Sequence, residues 1–333
     1  MSQILAAVYR GKTVESGHCG SVAVVDNRGE LLFSCGDPNF FTFLRSSAKP
    51  FQLLPLIESG ATTHFGFTSL ELAIMAGSHS GSPRHVNLVK RILNKIGLSA
   101  KYLQCGVHIP FHYASRGITP SAKQKFSSVH HNCSGKHAGM LAVCQYLGWN
   151  LKNYLHPSHP LQKRILKRVS EVCHYPVSRI KIGVDGCSAP NFALPLKNMA
   201  WGFAELVSSR KGDALNEVSS AMQRFPEMVS GQGRLDFQLA QAAGRKLLSK
   251  GGAEGLECIG LLDSDTGVAV RIQDGNSRAV GCVAAETLRQ LGILKKSDLD
   301  KISKFAYPKI KNDAGKIVGF IRPEFKLRKY IRG

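Results

Sequence analysis

The sequence predicts a mixed α/β (α+β) fold, in which a mainly antiparallel sheet built from both termini flanks an inserted helical lobe. Three observations lead to this prediction: β-rich runs at the N-terminus, a long helical middle, and β-rich runs again before the C-terminus. Strands do not alternate with helices, and no Gly-x-Gly-x-x-Gly follows the first strand, which disfavours a parallel doubly wound sheet. We expect one domain over residues 1–333, with a sheet lobe at 1–60 and 250–333 and a helical lobe at 61–249.

The N-terminal region is predicted to contain three strands, at Ile4–Arg10, Gly20–Gly29 and Glu30–Gly36. Asp-Asn-Arg-Gly between the second and third strands is typical of a hairpin turn. A helix is predicted over Ser46–Glu58, with Gly60 as its stop and Pro50 in its first turns, where a missing N–H costs least.

The middle of the chain has the apolar periodicity of helices. We predict them at Ser69–Met75, Val86–Ile96, Lys136–Leu147, His159–Val172, Asn198–Leu206, Ala214–Gln223 and Leu235–Lys250. A long loop rich in Pro, His and Gly interrupts them from about Gln104 to Gly135, and a strand that ends in a tight loop lies within "IKIGVDGCSAPNFALPL". Two strands around Asp-Ser-Asp-Thr-Gly, a helix over Arg278–Leu291 and a strand over Ile317–Ile321 complete the chain.

Composition narrows the class of protein. The chain is 43% hydrophobic and has no apolar run long enough to span a bilayer, and its first 20 residues do not form a signal peptide, so we expect a cytoplasmic protein without a membrane partner. Its nine cysteines include no Cys-x-x-Cys, which favours thiols or metal ligands over disulfides. The net charge of +21 permits nucleic-acid binding, but no nucleic-acid motif is present, so solubility or steering of an anionic ligand is the favoured interpretation.

Ser46 and Lys49 form a Ser-x-x-Lys pattern at the start of the predicted helix, where a spacing of three brings side chains together. A serine needs a base to become a nucleophile, and a lysine can serve if burial and nearby cations lower its pKa. Arg45 could supply that positive charge or bind a substrate carboxylate. Alone, the pattern is also compatible with a helix-capping serine beside a solvated lysine.

Two later stretches extend this pattern. Ser78 follows a predicted helix in the polar loop Ser-His-Ser-Gly, and Lys250 opens a glycine-rich segment. A Ser-x-x-Lys helix, a serine loop and a Lys-x-Gly strand, in that order, form the skeleton of penicillin-binding and β-lactamase sites. Lys250 could equally be a cation at the end of a helix.

Cys133 and Cys187 each lie in a loop of small residues beside a potential ligand or base. The two thiols could hold a metal with His, Asp or Lys. They could also be small core residues, or Cys133 could be a nucleophile beside His137. "GQGR" within "PEMVSGQGRLD" could cradle an anion or form a tight turn between helices.

Together these motifs resemble the class 3, rhizobial-type L-asparaginases of the asparaginase II family, from about Val8 to Pro323. The motifs that carry the resemblance are "RSSAKPFQ", "AGSHSG", "NCSGKHAGML", "GVDGCSAPNFALPL", "PEMVSGQGR" and "KGGAEG". The resemblance implies a serine β-lactamase/glutaminase-like fold, a homodimer, and hydrolysis of L-asparagine to L-aspartate and ammonia.

The resemblance also implies residue roles. Two Ser–Lys pairs, Ser46–Lys49 and Ser78–Lys250, would line the site. A Zn²⁺ ion would be held by Cys133, Lys136 and Cys187, and groups that bind substrate or organise the site would be Arg45, His137 and Asp185. The alternatives left open are a glutaminase or another β-lactamase-like serine amidohydrolase and, in a different class, a non-catalytic nucleic-acid-binding protein.

Overall fold

The computed structural model describes residues 3–330 as a mixed α/β fold. Contacts within the chain divide it into two compact units, which are described separately. The first unit comprises Met1–Ser47, Leu194–Ser208 and Gln238–Gly333, and the second comprises Ala48–Ala193 and Ser209–Phe237. Leu194–Ser208, which the sequence places in the helical lobe, therefore belongs to the unit that holds both termini.

The strands are short apart from the second. They are β1 (Gln3–Arg10), β2 (Thr13–Asp26), β3 (Leu31–Cys35), β4 (Phe41–Phe43), β5 (Lys181–Val184), β6 (Pro190–Pro195), β7 (Leu247–Gly252), β8 (Leu256–Leu261), β9 (Thr266–Ile272), β10 (Lys309–Lys311), β11 (Ile317–Pro323) and β12 (Arg328–Lys329). Most of the strands that the sequence predicts are confirmed, although β2 begins seven residues before its predicted start.

The sheet of the first unit takes the strand order β10-β11-β1-β2-β9-β8-β7, and β3 also pairs with β2 and with β12. The pairings are antiparallel, and the register sets Val22 opposite Val270 and Val24 opposite Val268. Because the termini supply β1, β2 and β7–β12, the prediction of an antiparallel sheet completed by both ends of the chain is confirmed.

The α-helices are α1 (Lys49–Gln52), α2 (Leu54–Glu58), α3 (Ala61–His64), α4 (Ser69–Met75), α5 (Pro83–Lys95), α6 (Phe111–Ser115), α7 (Ser134–Tyr146), α8 (Pro160–Val172), α9 (Leu196–Ser208), α10 (Ala214–Arg224), α11 (Pro226–Val229), α12 (Leu235–Ala242), α13 (Ser277–Gln290), α14 (Lys296–Lys301) and α15 (Ser303–Ala306). Short 3-10 helices lie at Arg45–Ala48, Ala100–Tyr102, Ser128–His130 and Val177–Arg179.

Helix α9 packs closely on the sheet of the first unit. A Cβ atom added at Gly267 of β9 would lie only 1.7 Å from the carbonyl oxygen of Ala200 in α9. In the second unit, α4 and α7 also make a close contact, since a Cβ at Gly135 would lie 2.5 Å from the Ile74 oxygen. Glycine at these two positions allows backbone to approach backbone.

The helix predicted over Ser46–Glu58 is wrong as a single helix. The segment is a 3-10 turn over Arg45–Ala48, followed by α1 and α2, with a break at Leu53. Pro55 has no N–H to donate, so the helical hydrogen bonds cannot run on through it, and it becomes an early residue of α2 instead.

The helix predicted over Leu235–Lys250 is also wrong at its end. Helix α12 stops at Ala242, and Leu247–Gly252 is strand β7, paired with β8. Lys250 therefore lies inside a strand, which excludes the interpretation of this lysine as a cation at the end of a helix.

The nine cysteines are free thiols, as the sequence predicts; eight are buried and Cys19 is half-buried. Within residues 3–330, no helix has both the length and the apolar character needed to cross a membrane.

Candidate active site

Lys49 and Ser78 form a buried polar pair in the second unit. The Lys49 Nζ atom donates a hydrogen bond to Ser78 Oγ over 2.8 Å, and a longer one of 3.4 Å to the carbonyl oxygen of Asn132. Both side chains are buried, at 1% and 2% exposure. This pair thus places an amine against a serine hydroxyl away from bulk water.

Burial lowers the pKa of the Lys49 amine below its ordinary value. The positive charge of Lys136 also lowers this pKa, whereas the sulfur atoms of Cys133 and Cys187 raise it. A neutral amine has two N–H bonds and one lone pair. The two hydrogen bonds to Ser78 and Asn132 would use both N–H bonds and leave the lone pair able to accept a proton. A lysine in this state is suited to act as a base.

The Ser78 loop is held by the last residue of α11 and by the segment that follows this helix. The N–H of Ser78 donates to the Val229 oxygen over 2.6 Å, and a Cβ at Gly77 would lie 2.6 Å from the same oxygen. A Cβ at Gly231 would lie 2.4 Å from Ser80 Oγ. The "SGQG" stretch therefore packs against the serine loop, and this contact gives it a role that sequence reasoning missed.

Cys133, Lys136 and Cys187 form a second cluster in the same unit. Lys136 Nζ lies 3.0 Å from Cys187 Sγ. A hydrogen bond from Cys133 and the positive charge of Lys136 lower the pKa of Cys187, against the effect of burial. The same hydrogen bond and burial raise the pKa of Cys133. Two cysteine sulfur atoms and the Lys136 amine are therefore gathered near the start of α7.

His137 and Asp185 border this cluster. The His137 ring is fully buried, and its Nδ1 atom lies 2.7 Å from the hydroxyl of Tyr154. Burial lowers the pKa of His137 below its ordinary value, while Cys187 acts in the opposite direction. Asp185 Oδ2 lies 3.8 Å from Cys187 Sγ, in the tight turn between β5 and β6.

The ligand atoms of this cluster match in part those that a soft divalent metal binds. Two sulfur atoms and a nitrogen are ligands that Zn²⁺ accepts. His137 Nε2 is buried and, among residues 3–330, makes no hydrogen bond of normal geometry, although it interacts electrostatically with Cys187. Over the same residues, no group of three or more His, Cys, Asp and Glu side chains is placed to hold a metal, so a three-residue site here requires Lys136.

Lys136 has to lose its proton before it can bind a metal. Its pKa is raised, because the attraction of the two sulfur atoms outweighs the effect of burial. The cluster without metal is therefore an ion pair, and a cation would have to take the place of the lysine proton.

In the first unit, the turn that contains Arg45 carries further predicted residues. Arg45 has a left-handed backbone with φ of 49°, and its guanidinium lies 3.9 Å from the Glu254 carboxylate. Ser46 is half-buried, whereas Ser47 is fully buried and its hydroxyl donates to the Lys250 carbonyl oxygen over 2.7 Å. Sequence reasoning missed both Ser47 and Glu254.

Lys250 is fully buried, and its Nζ atom donates to the Gly251 carbonyl oxygen over 2.7 Å. The predicted pairs Ser46–Lys49 and Ser78–Lys250 each combine residues of different units, and they stay predictions. The contacts found inside one unit are Lys49 with Ser78, and Lys136 with Cys187. Spacing along the chain indicated neither contact.

Ionisable groups buried together with shifted pKa values are typical of an enzyme active site. The chain belongs to the L-asparaginase II family, whose model matches residues 6–323. Membership of this family indicates an amidohydrolase that acts on an amide such as asparagine, and it confirms the resemblance noted from the motifs.

Solved structures similar to this chain include Mglu in its native form, at 16% identity and a TM-score of 0.44, over 88% of this chain and 69% of that one. A β-lactamase (Mb2281c) from Mycobacterium bovis is 14% identical with a TM-score of 0.41, over 81% of this chain and 94% of that one. A search of curated proteins gave no match. Because these TM-scores lie below 0.5, family membership rests on the family model.

Proposed function

We propose that this protein is an L-asparaginase, which hydrolyses L-asparagine to L-aspartate and ammonia. The observation that carries the proposal is the buried Lys49 amine, which lies 2.8 Å from the Ser78 hydroxyl and whose pKa is lowered by burial. Membership of the L-asparaginase II family supports asparagine as the amide.

In the proposed reaction, Ser46 is the nucleophile. Its oxygen bonds to the side-chain amide carbon of asparagine while its proton passes to Lys49. The carbon–nitrogen bond then breaks, the nitrogen takes up a proton through the Lys49–Ser78 hydrogen bond, and ammonia leaves. Water hydrolyses the ester on Ser46 and releases aspartate. Lys250 is proposed as a second partner for Ser78.

Recognition of the substrate is proposed for two charged groups. Arg45 would pair with the α-carboxylate through its planar guanidinium, and Asp185 would accept hydrogen bonds from the α-ammonium. His137 would organise the site through its bond to Tyr154. One extra methylene separates glutamine from asparagine and is worth only about 1–3 kcal/mol of discrimination, so a glutaminase is the nearest alternative.

We also propose that Cys133, Lys136 and Cys187 hold a Zn²⁺ ion. When bound, the ion would supply a fixed positive charge that orders the Cys133 turn and orients the substrate. Protein purified without exposure to a chelator should contain about one zinc per chain, and Lys136→Met should lower this zinc content. Absence of metal from the untreated protein would remove the ion from the proposal.

The decisive experiment is a coupled ammonia assay with asparagine and with glutamine, with and without added Zn²⁺. Ser46→Ala should lower turnover by about 10³-fold or more, whereas Ser47→Ala should keep turnover within about tenfold of wild type, because this hydroxyl supports the fold. Near-wild-type turnover in Ser46→Ala together with loss in Ser78→Ala would make Ser78 the nucleophile. Near-wild-type turnover in both variants would rule the serine mechanism out.

The remaining features of the proposal have their own tests. We propose a cytoplasmic homodimer that has no specific nucleic-acid partner, and light scattering coupled to size-exclusion chromatography would measure its mass.

The alternative of a non-catalytic nucleic-acid-binding protein rests on the net charge of +21. Steeply salt-dependent DNA binding without ammonia release would favour that alternative.

A further inference from the structure

His79 follows Ser78 directly and has no role in the proposed reaction. Its ring is fully buried, yet both nitrogen atoms have partners. The N–H of Gly81 donates to Nδ1 over 3.2 Å, and Nε2 lies 2.9 Å from Ser134 Oγ.

These contacts define one hydrogen-bonding state of the ring. Since Nδ1 accepts from a backbone N–H, it carries no proton, so the neutral ring carries its proton on Nε2. The Ser134 hydroxyl donates to the Val129 carbonyl oxygen over 2.9 Å, so its oxygen is available to accept the proton of Nε2. Burial lowers the pKa of His79 well below its ordinary value, which agrees with a neutral ring.

The ring joins two parts of the candidate site. On one side is the loop of Ser78, and on the other is Ser134, the first residue of α7, beside Cys133. The Lys49 amine contacts the same two segments, because Ser78 Oγ belongs to the Ser78 loop and the Asn132 oxygen lies just before the start of α7. The bridge from His79 to Ser134 therefore links the two segments that carry the acceptors of Lys49.

We propose that His79 is a positioning residue for the hydrolysis: its imidazole fixes the Ser78 loop against the start of α7 and so holds both hydrogen-bond acceptors of Lys49 in place. This inference rests on the proposed function, since it assigns His79 a part in that same reaction. A histidine that merely fills the core would affect stability without a specific effect on turnover.

Two variants separate the contacts of the ring. In His79→Gln, the amide nitrogen can still reach Ser134, whereas in His79→Asn the side chain can accept from Gly81 but is too short to make the bridge. We expect the loss of kcat to be about 100-fold in His79→Asn, as for a catalytic group displaced by about 1 Å, and less than about tenfold in His79→Gln. KM should change less than about threefold in both, because the proposed reaction gives His79 no contact with the substrate.

His85 offers a matched control. It is buried, its ring stacks on His79 with centroids 5.3 Å apart, and its Nε2 atom lies 2.9 Å from the Glu227 carbonyl oxygen. His85→Gln should lower the melting temperature without a large change in kcat. An equal loss of kcat in His85→Gln, or wild-type kcat in His79→Asn, would overturn the proposal.

Nitrogen NMR of labelled histidine gives a readout that is independent of turnover. The spectrum of wild type should show His79 as the neutral tautomer with a slowly exchanging proton on Nε2, and Ser134→Ala should make that proton exchange faster. A proton on Nδ1 would overturn the proposal, even if the variants lose activity. A wild-type protein that releases no ammonia would instead overturn the proposed function, and the NMR result would then decide whether the bridge exists.

Discussion

Ser47 lies between two residues of the proposed chemistry and has a structural role. Its buried hydroxyl donates to the Lys250 carbonyl oxygen, and so ties the Arg45 turn to strand β7. The spacing of Ser46 and Lys49 assigns no role to Ser47, because its partner lies 203 residues further along the chain. A contact of that kind depends on the fold and cannot be inferred from local sequence.

Ser47→Ala should lower the free energy of unfolding by about 1–2 kcal/mol, because a buried carbonyl loses a hydrogen bond that water cannot replace. Urea denaturation followed by circular dichroism would measure the difference. The control is Ser16→Ala, which changes an exposed serine of β2 and should leave stability within about 0.5 kcal/mol of wild type. Equal stability of the two variants would mean that the bond to Lys250 contributes little.

At the scale of elements, helix α4 is fixed at its start by a buried carboxylate. Glu71 forms a capping box with Thr68 and also accepts from Lys95 over 2.9 Å and from Arg91 over 3.1 Å. Burial alone would raise the pKa of Glu71, but the hydrogen bonds from Lys95 and Thr68 outweigh it, so the pKa lies below its ordinary value.

The depressed pKa of Glu71 predicts how stability depends on pH. A carboxyl whose pKa is lower in the folded state stabilises the fold above its unfolded pKa of about 4.3, and this stabilisation is lost as pH falls through the folded value. We expect Glu71→Gln to cost about 2 kcal/mol at pH 7, and this difference from wild type should shrink below about pH 4. Urea denaturation across this pH range would measure it.

The control for this prediction is Glu15→Gln. Glu15 pairs with Arg10 on the surface, and both side chains are 48% exposed, so the change should cost little at any pH. A cost of Glu71→Gln that stays constant from pH 7 to pH 3 would contradict the prediction.

A second prediction at the scale of elements concerns the packing of helix α9 on strand β9. Gly267→Ala places a methyl group against the Ala200 carbonyl oxygen, so α9 has to move away from the sheet. We expect a loss of about 3 kcal/mol or more in the free energy of unfolding, or failure to fold. In Gly17→Ala of β2, the new methyl would lie 3.5 Å from Ile4, an ordinary contact, and should be tolerated. Equal stability of the two variants would show that α9 adjusts without cost.

Strand β7 shows why some elements could not be predicted from the sequence. "LLSKGG" has no β-branched residue and ends in two glycines, so its local preference is weak. Its strand conformation is set by pairing with β8, where Leu247 lies opposite Leu261 and Lys250 opposite Cys258. Longer periodic elements such as α5, α8 and α13 were predicted to within three residues at either end, because their amphipathic pattern is local.

On the scale of the whole molecule, the net charge of +21 opposes a compact fold through self-repulsion. Added salt screens this repulsion. We therefore expect the melting temperature to rise by about 3 °C between 20 mM and 300 mM NaCl, as followed by circular dichroism.

The control for the salt prediction reduces the charge at one edge of the sheet. Lys309, Lys311 and Lys316 are exposed on β10 and the turn that follows it, and a variant with glutamine at all three should respond less to salt. A melting temperature that falls or stays constant with added salt would contradict self-repulsion as a significant cost.

The residue types of the candidate site could be predicted from the sequence more fully than its contacts. The motifs indicated Lys49, Ser78, Cys133, Lys136 and Cys187, and the structure gathers all five in the second unit. The bond from Lys49 to Ser78 spans 29 residues, and the bond from Lys136 to Cys187 spans 51. Such partners depend on how helices and loops pack, which short-range spacing does not describe.

The distribution of the thiols provides a way to follow the opening of this molecule in solution. Eight of the nine are buried and only Cys19 is half-buried. A thiol reagent should therefore modify one site promptly and the others only when the protein unfolds locally or globally. Because the buried thiols occur in both units, at Cys144 in α7 and at Cys258 in β8 for example, the order of modification would show which unit opens first. The native cysteines of the wild-type protein can thus be used to follow its unfolding over time.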